Sequence, residues 1–185
     1  MVPLMSLWLP ILVAAVLVFI ASSVIHMFLR YHQSDVRQVG AEDAVMEAIR
    51  KAGLGAGDYM VPHAGSREGM KAPEFIAKVA KGPMVFFTVL PGGSMSMGKN
   101  LAQWFVYCVV VGVFAAYVAG RALPPGAEYL AVFRFAGATA FAGYSLALLQ
   151  GSIWYGRSWG YTLKSMFDGL VFAALTGGAF GWLWP

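Results

Sequence analysis

Apolar positions along this 185-residue chain do not alternate or fall into narrow helical stripes; they form long, nearly unbroken runs. Four of these runs are near 20 residues long: residues 7–29, 101–119, 130–149 and 166–184. A helix of about 20 residues, rising about 1.5 Å per residue, covers the roughly 30 Å hydrocarbon core of a bilayer. Lipid offers the backbone no hydrogen-bond partners, so each run is predicted to be a helix. Pro10 lies near the start of the first run, where a kink is tolerated. A signal peptide is the rival for that run. Residues 1–3 carry no charged side chain, however, and the apolar stretch is long for a signal peptide. A retained membrane helix is expected.

Residues 30–100 follow a different pattern. In residues 41–52, Ala44, Val45, Ala48, Ile49 and Ala52 form one helical stripe, with Glu42 and Asp43 in the first turn and Arg50 and Lys51 in the last. Gly53 is a natural stop. Residues 73–81 repeat the logic: Pro73 opens the helix, Phe75, Ile76 and Val79 share a face, and Gly82 follows. Residues 58–61 are predicted as a strand, and residues 84–90 as a second strand or an interfacial segment. Two strands pairing beneath two helices are expected.

The resulting fold class is an all-α membrane protein: four transmembrane helices with a small α+β cytoplasmic lobe between helices 1 and 2. The organisation is helix 1 in residues 1–29, the lobe in 30–100, and helices 2 to 4 in 101–185. So few large apolar side chains cannot build a robust independent core. The lobe is expected to rest on the helix ends or the lipid headgroups.

Composition sharpens this picture. The chain is 59% hydrophobic and 12% charged, against about 25% charged in soluble domains. Residues 30–99 hold nine basic and seven acidic residues, 16 of the 22 charges. The net charge of +4 therefore does not mark a nucleic-acid partner, since basic and acidic residues are interleaved. It marks topology. The segments at 30–100 and 150–165 carry nine plus two basic residues, and the opposite side only Arg121. Positive residues stay inside, so both termini are expected on the outer side of a bacterial inner membrane. The single cysteine, Cys108, forms no internal disulfide.

Small residues recur at four-residue spacing: Gly112, Ala116 and Gly120 in the second run, Gly143, Ala147 and Gly151 at the end of the third, and Ala173, Gly177 and Gly181 in the fourth. Such seams let helices approach closely in lipid. They serve either the chain's own helices or a homo-oligomer or larger membrane complex. Trp154, Tyr155, Trp159, Trp182 and Trp184 fall where aromatic rings anchor at membrane interfaces.

The candidate chemistry gathers at one membrane face. His26, His32 and Asp35 follow the first run, Met95 and Met97 precede the second, and Trp154, Tyr155, Arg157 and Asp168 lie around the start of the fourth. Imidazole and carboxylate can hold a metal or, through His, a haem, which marks His26, His32 and Asp35. Yet His26 and His32 are six apart, not the three or four that share a helix face. No cofactor is therefore the base expectation. Asp168 is an embedded charge, with Arg157 or Lys164 as expected partners, and Arg134 is another, expected to snorkel or to hydrogen-bond within the bundle, with an anion or lipid-headgroup contact as its functional alternative. Gly93 to Lys99 has a phosphate-loop spacing, but Asn100 stands where Ser or Thr is needed, and no sheet context precedes it. No HExxH, CxxC, GxSxG or Ser-His-Asp pattern points to an enzyme.

The arrangement resembles small four-helix integral membrane proteins of bacteria, on IHMFLRYHQSD after the first run, SIWYGRSW before the last, and FDGLVFAALTGGAFGWLWP at the end. That resemblance implies the membrane fold and transfers no catalytic residue. Three functions are compatible with this reading: a structural or accessory module that docks a partner, a small oligomeric transporter or channel, and a metal- or haem-binding protein.

Overall fold

A computed structural model describes residues 1–92 and 96–185; Gly93 and Met95, named above, lie outside the described residues. The chain is mostly helical, with one two-stranded sheet. It divides into two units, one of residues 1–36 with 96–185 and one of residues 37–95.

The first unit is a helical bundle. Its elements are α1 (Trp8–Phe28), α4 (Met97–Ala122), α5 (Tyr129–Tyr144), α6 (Leu149–Tyr155) and α7 (Trp159–Trp182). Pro10 sits in the first turn of α1, where its missing N–H had no helical acceptor in any case. Ser96 and Ser158 cap α4 and α7, each side-chain oxygen accepting from the backbone N–H three residues on. Helix α1 packs on α4 and α7, and α5 packs on α4 and α7, which closes the ring of four.

Three helical segments are long and apolar enough to cross a membrane: Leu4–Phe28, Met97–Ala122 and Tyr129–Tyr155. The expected fourth, α7, has the length but not the apolarity, because Lys164, Asp168 and its glycines dilute it. The third is longer than the predicted 130–149 and is not uniform. It breaks at Ser145 (φ −125°, ψ −49°), passes through a 3₁₀ turn at Leu146–Leu148, and resumes as α6. Ser145 is fully buried, and its hydroxyl donates to the Met166 carbonyl at 3.3 Å. A side chain at Gly169 would strike that hydroxyl. Helix α7 therefore presses on the chain at the break.

The bundle is packed by small residues. Its buried positions include Ala14, Ala15, Ala115, Ala116, Ala119, Ala136, Ala140 and Ala173, while large apolar side chains such as Leu12, Ile20, Val110 and Phe114 face outward. A Cβ at Gly112 would meet Ile11 of α1 at 3.2 Å, one at Gly120 the Val2 carbonyl at 2.8 Å, and one at Gly181 the Tyr129 ring at 2.6 Å. Ala116 is fully buried and Ala173 nearly so. The small-residue seams of α4 and α7 are thus filled from within the chain.

In the second unit, α2 (Glu42–Lys51), β1 (Gly57–Val61), α3 (Pro73–Lys81) and β2 (Val85–Val89) lie close to their predicted positions. The strands pair antiparallel with Gly57 opposite Val89 and Val61 opposite Val85. Tyr59 stacks on Phe87, and the Thr88 hydroxyl donates to Asp58 at 2.6 Å. The expected helical cover over the sheet is not formed: no residue of α2 or α3 is buried. Their apolar stripes are too thin in large side chains to bury a face.

Gly177 tests the packing. A Cβ there would lie 2.8 Å from the Phe133 carbonyl, whereas one at Gly160 meets nothing within 4 Å. Gly177→Ala is expected to destabilise the bundle by about 1–3 kcal/mol and lower the melting temperature of the detergent-solubilised chain. Gly160→Ala should not lower it.

Candidate metal centre

The sequence puts His26 and His32 on different faces of any continuous helix. The structure breaks that helix between them. Helix α1 ends at Phe28, Leu29 is extended (φ −85°, ψ 123°), and a 3₁₀ turn follows at Arg30–Ser34. The chain folds back, and the His32 ring comes to 4.9 Å from that of His26 between centroids, with the planes within 7°. Residues three apart eclipse in a 3₁₀ turn, so the His32 Nδ1–H donates to Asp35 Oδ2 at 2.5 Å.

Asp168 enters from the third turn of α7 and is 3% exposed. Its Oδ2 lies 2.7 Å from His32 Nε2, and its Oδ1 accepts from the Tyr31 hydroxyl. The expected pairing of Asp168 with Lys164 or Arg157 does not form. Lys164 instead donates to Asp35 Oδ1 at 2.8 Å, the Tyr31 carbonyl at 2.6 Å and the Ser34 hydroxyl at 2.8 Å. It lies one helical turn before Asp168 and reaches the 3₁₀ turn rather than its own helix neighbour. Arg157 packs its guanidinium over the Tyr161 ring at 4.3 Å. The Lys164 ammonium holds the Asp35 carboxyl below its usual range, with His32 adding to the effect against partial burial. Burial and the Asp168 carboxylate push the Tyr31 phenol above its usual range.

His26 completes the group. Its Nδ1 lies 2.9 Å from the Ser22 carbonyl. A carbonyl only accepts, so Nδ1 carries the proton and Nε2 presents a lone pair. Ser22 is held in turn by the Trp104 indole N–H, 2.8 Å from its hydroxyl. One ligand atom from each of His26, His32 and Asp168 lies within 4.8 Å of the others.

Each of the three therefore has one polar atom on an outer partner, His26 on Ser22, His32 on Asp35 and Asp168 on Tyr31, while the second atoms of His32 and Asp168 face each other at 2.7 Å. Outer partners of this kind orient metal ligands and set the tautomer of ligating histidines. His32 also faces a carboxylate from both nitrogens, and a neutral imidazole donates from only one. A positive species, a proton or a metal ion, is needed between Nε2 and Asp168.

The expected set of His26, His32 and Asp35 is thus revised. Asp35 stands behind His32, on Nδ1, and Asp168 takes the place beside the two histidines. Met97 is exposed at the start of α4 and Trp154 is exposed on α6. Tyr31, Ser22 and the bridging role of Lys164 were not read from sequence. The adjacency of Tyr31 to His32 was the one available signal. Arg134 is exposed on α5 and forms no ion pair among the described residues. Gly177 packs on Phe133, beside Arg134, and follows Asp168 by nine residues, so Arg134 and Asp168 lie about 13 Å apart along the bundle. No family model, curated protein or solved structure matches this chain.

The Asp35–Lys164 pair supports the 3₁₀ turn. In a double-mutant cycle, Asp35→Asn and Lys164→Met are expected to show a coupling energy of about 0.5–3 kcal/mol in unfolding free energy. Strict additivity would mean the pair does not act as a unit.

Proposed function

We propose that this chain is a small multi-pass membrane protein that binds one divalent transition-metal ion through His26, His32 and Asp168. The observation that carries this reading is the outer partner behind every ligand. Two imidazoles and a carboxylate suit zinc or ferrous iron. Three protein ligands leave a position for water or a further ligand, as in catalytic zinc sites. A tetrahedral zinc site separates its ligand atoms by about 3.4 Å, given bonds of about 2.1 Å. The 4.8 Å spread therefore has to contract on binding. His26 is exposed, which gives its ring room to move, while the 2.7 Å between His32 Nε2 and Asp168 Oδ2 has to widen.

The proposed setting is four spans in a bacterial inner membrane, with both termini outside and residues 37–95 inside. Helix α7 turns Leu163, Phe167 and Leu170 outward, each more than half exposed, and this supports its lying in lipid. The segregation of basic residues supports the orientation.

A second reading, a partner-docking accessory module, is favoured by one observation. Helix α2 buries no residue and leaves Val45 and Met46 exposed. A transporter or channel assembled through the small-residue seams of α4 and α7 has less support, because those two seams are occupied within one chain.

The metal reading is tested on the full chain in detergent, incubated with Zn²⁺ or Co²⁺, desalted and measured by elemental analysis. One ion per chain is expected, with loss of retention in His26→Ala, His32→Ala and Asp168→Asn. Asp35→Asn should weaken binding about 10–100-fold. His63→Ala, in the second unit, should leave it unchanged. A wild-type chain that retains no ion, or a His26→Ala chain that retains as much as wild type, overturns the reading.

Orientation is tested by labelling Arg67→Cys and Glu128→Cys in sealed vesicles; the native Cys108 is buried. The two introduced thiols should react from opposite sides.

A further inference from the structure

About 13 Å along the bundle from the level of Asp168, Arg134 stands in the second turn of α5, inside a segment apolar enough to cross a membrane. It is exposed and has no acidic partner among the described residues. A guanidinium cannot shed its proton, and the positive end of the helix dipole nearby adds to the charge rather than offsetting it. Arg121 differs. Its guanidinium lies 5.6 Å over the Tyr117 ring and donates toward the Met1 sulfur.

Arg134 borders an open groove between α4 and α5, lined by Val118, Phe135, Ala138 and Thr139. The Thr139 hydroxyl donates to the Phe135 carbonyl at 2.8 Å, so it is spent on its own helix, and the groove offers no other side-chain polar group. The site therefore combines an unpaired, planar cation with an apolar channel. Arg134 is five residues, about 7.5 Å, from the start of α5, a distance its long stem can span to the headgroup level. The guanidinium fork matches a phosphate, and the channel matches a hydrocarbon chain.

We propose that the α4–α5 groove binds one anionic phospholipid, its phosphate on Arg134 and an acyl chain along Val118, Phe135 and Ala138. This site is independent of the metal centre. A free phosphate would satisfy Arg134 but not the groove, and a carboxylate from a second copy of the chain would leave no lipid bound.

The test is native mass spectrometry of the full chain released from detergent with phosphatidylglycerol, phosphatidylcholine or inorganic phosphate added. One phosphatidylglycerol per chain is expected, at least ten-fold preferred over phosphatidylcholine. Arg134→Gln should reduce that preference to two-fold or less, and Arg121→Gln should keep it. Ala138→Trp fills the channel, keeps the charge, and should lower phosphatidylglycerol retention at least five-fold. Equal retention by wild type and Arg134→Gln overturns the proposal, as does equal retention of the two lipids by wild type. Retention unaffected by Ala138→Trp, displacement by inorganic phosphate, or a lipid-free dimer also overturns it.

Discussion

The buried carboxylate of Asp168 governs the polar end of this bundle. A carboxylate removed from water requires partners, and α7 itself supplies none. The partners come from beyond α1: the Tyr31 hydroxyl and the His32 ring. For both to reach Asp168, the chain has to leave the helix after Phe28 and turn tightly, which it does through extended Leu29 and the 3₁₀ turn. That same turn sets Asp35 against His32 and offers the Tyr31 carbonyl to Lys164. A single acidic residue on the last helix thus dictates the conformation of a segment more than 130 positions earlier. The arrangement that solves its burial also directs the remaining lone pairs toward one another, so a structural requirement and a binding capacity share the same atoms.

The remainder of the bundle follows a different constraint. In lipid there is no hydrophobic gain from hiding leucine or phenylalanine, so close approach of backbones decides packing. Alanine and glycine line much of the interior around a few large side chains such as Phe180, Leu7 and Val18, and many other large apolar residues face outward. The consequence for chemistry is a molecule with two specialised regions. One gathers carboxylates, imidazoles and an ammonium into a nearly closed network. The other leaves the Arg134 guanidinium uncompensated beside an apolar groove.

Much of this was legible along the chain. The apolar runs anticipated α1, α4, α5 and α7, and the dipole-matched charges and glycine stops anticipated α2 and α3. The short apolar stretches at residues 58–61 and 84–90 anticipated the paired strands. Less legible were the break at Ser145 and the shortfall of α7 as a span. The first depends on contact with Gly169 and Met166 of another helix. The second reflects the residues α7 carries for packing and for the polar cluster.

The sequence by itself determined which segments are helices, because a backbone in an apolar medium has no other way to satisfy its hydrogen bonds. It also determined that His26, His32, Asp35, Lys164 and Asp168 belong to the same end, because charge segregation and span length assign them there. Only the tertiary structure decided who pairs with whom. Lys164 and Asp168 are four apart on one helix and could pair by local spacing, though in the weaker orientation, but each finds its partner across the bundle. Partner choice rests on where a broken helix returns its side chains in space, and that is set by packing between elements rather than by distance along the chain.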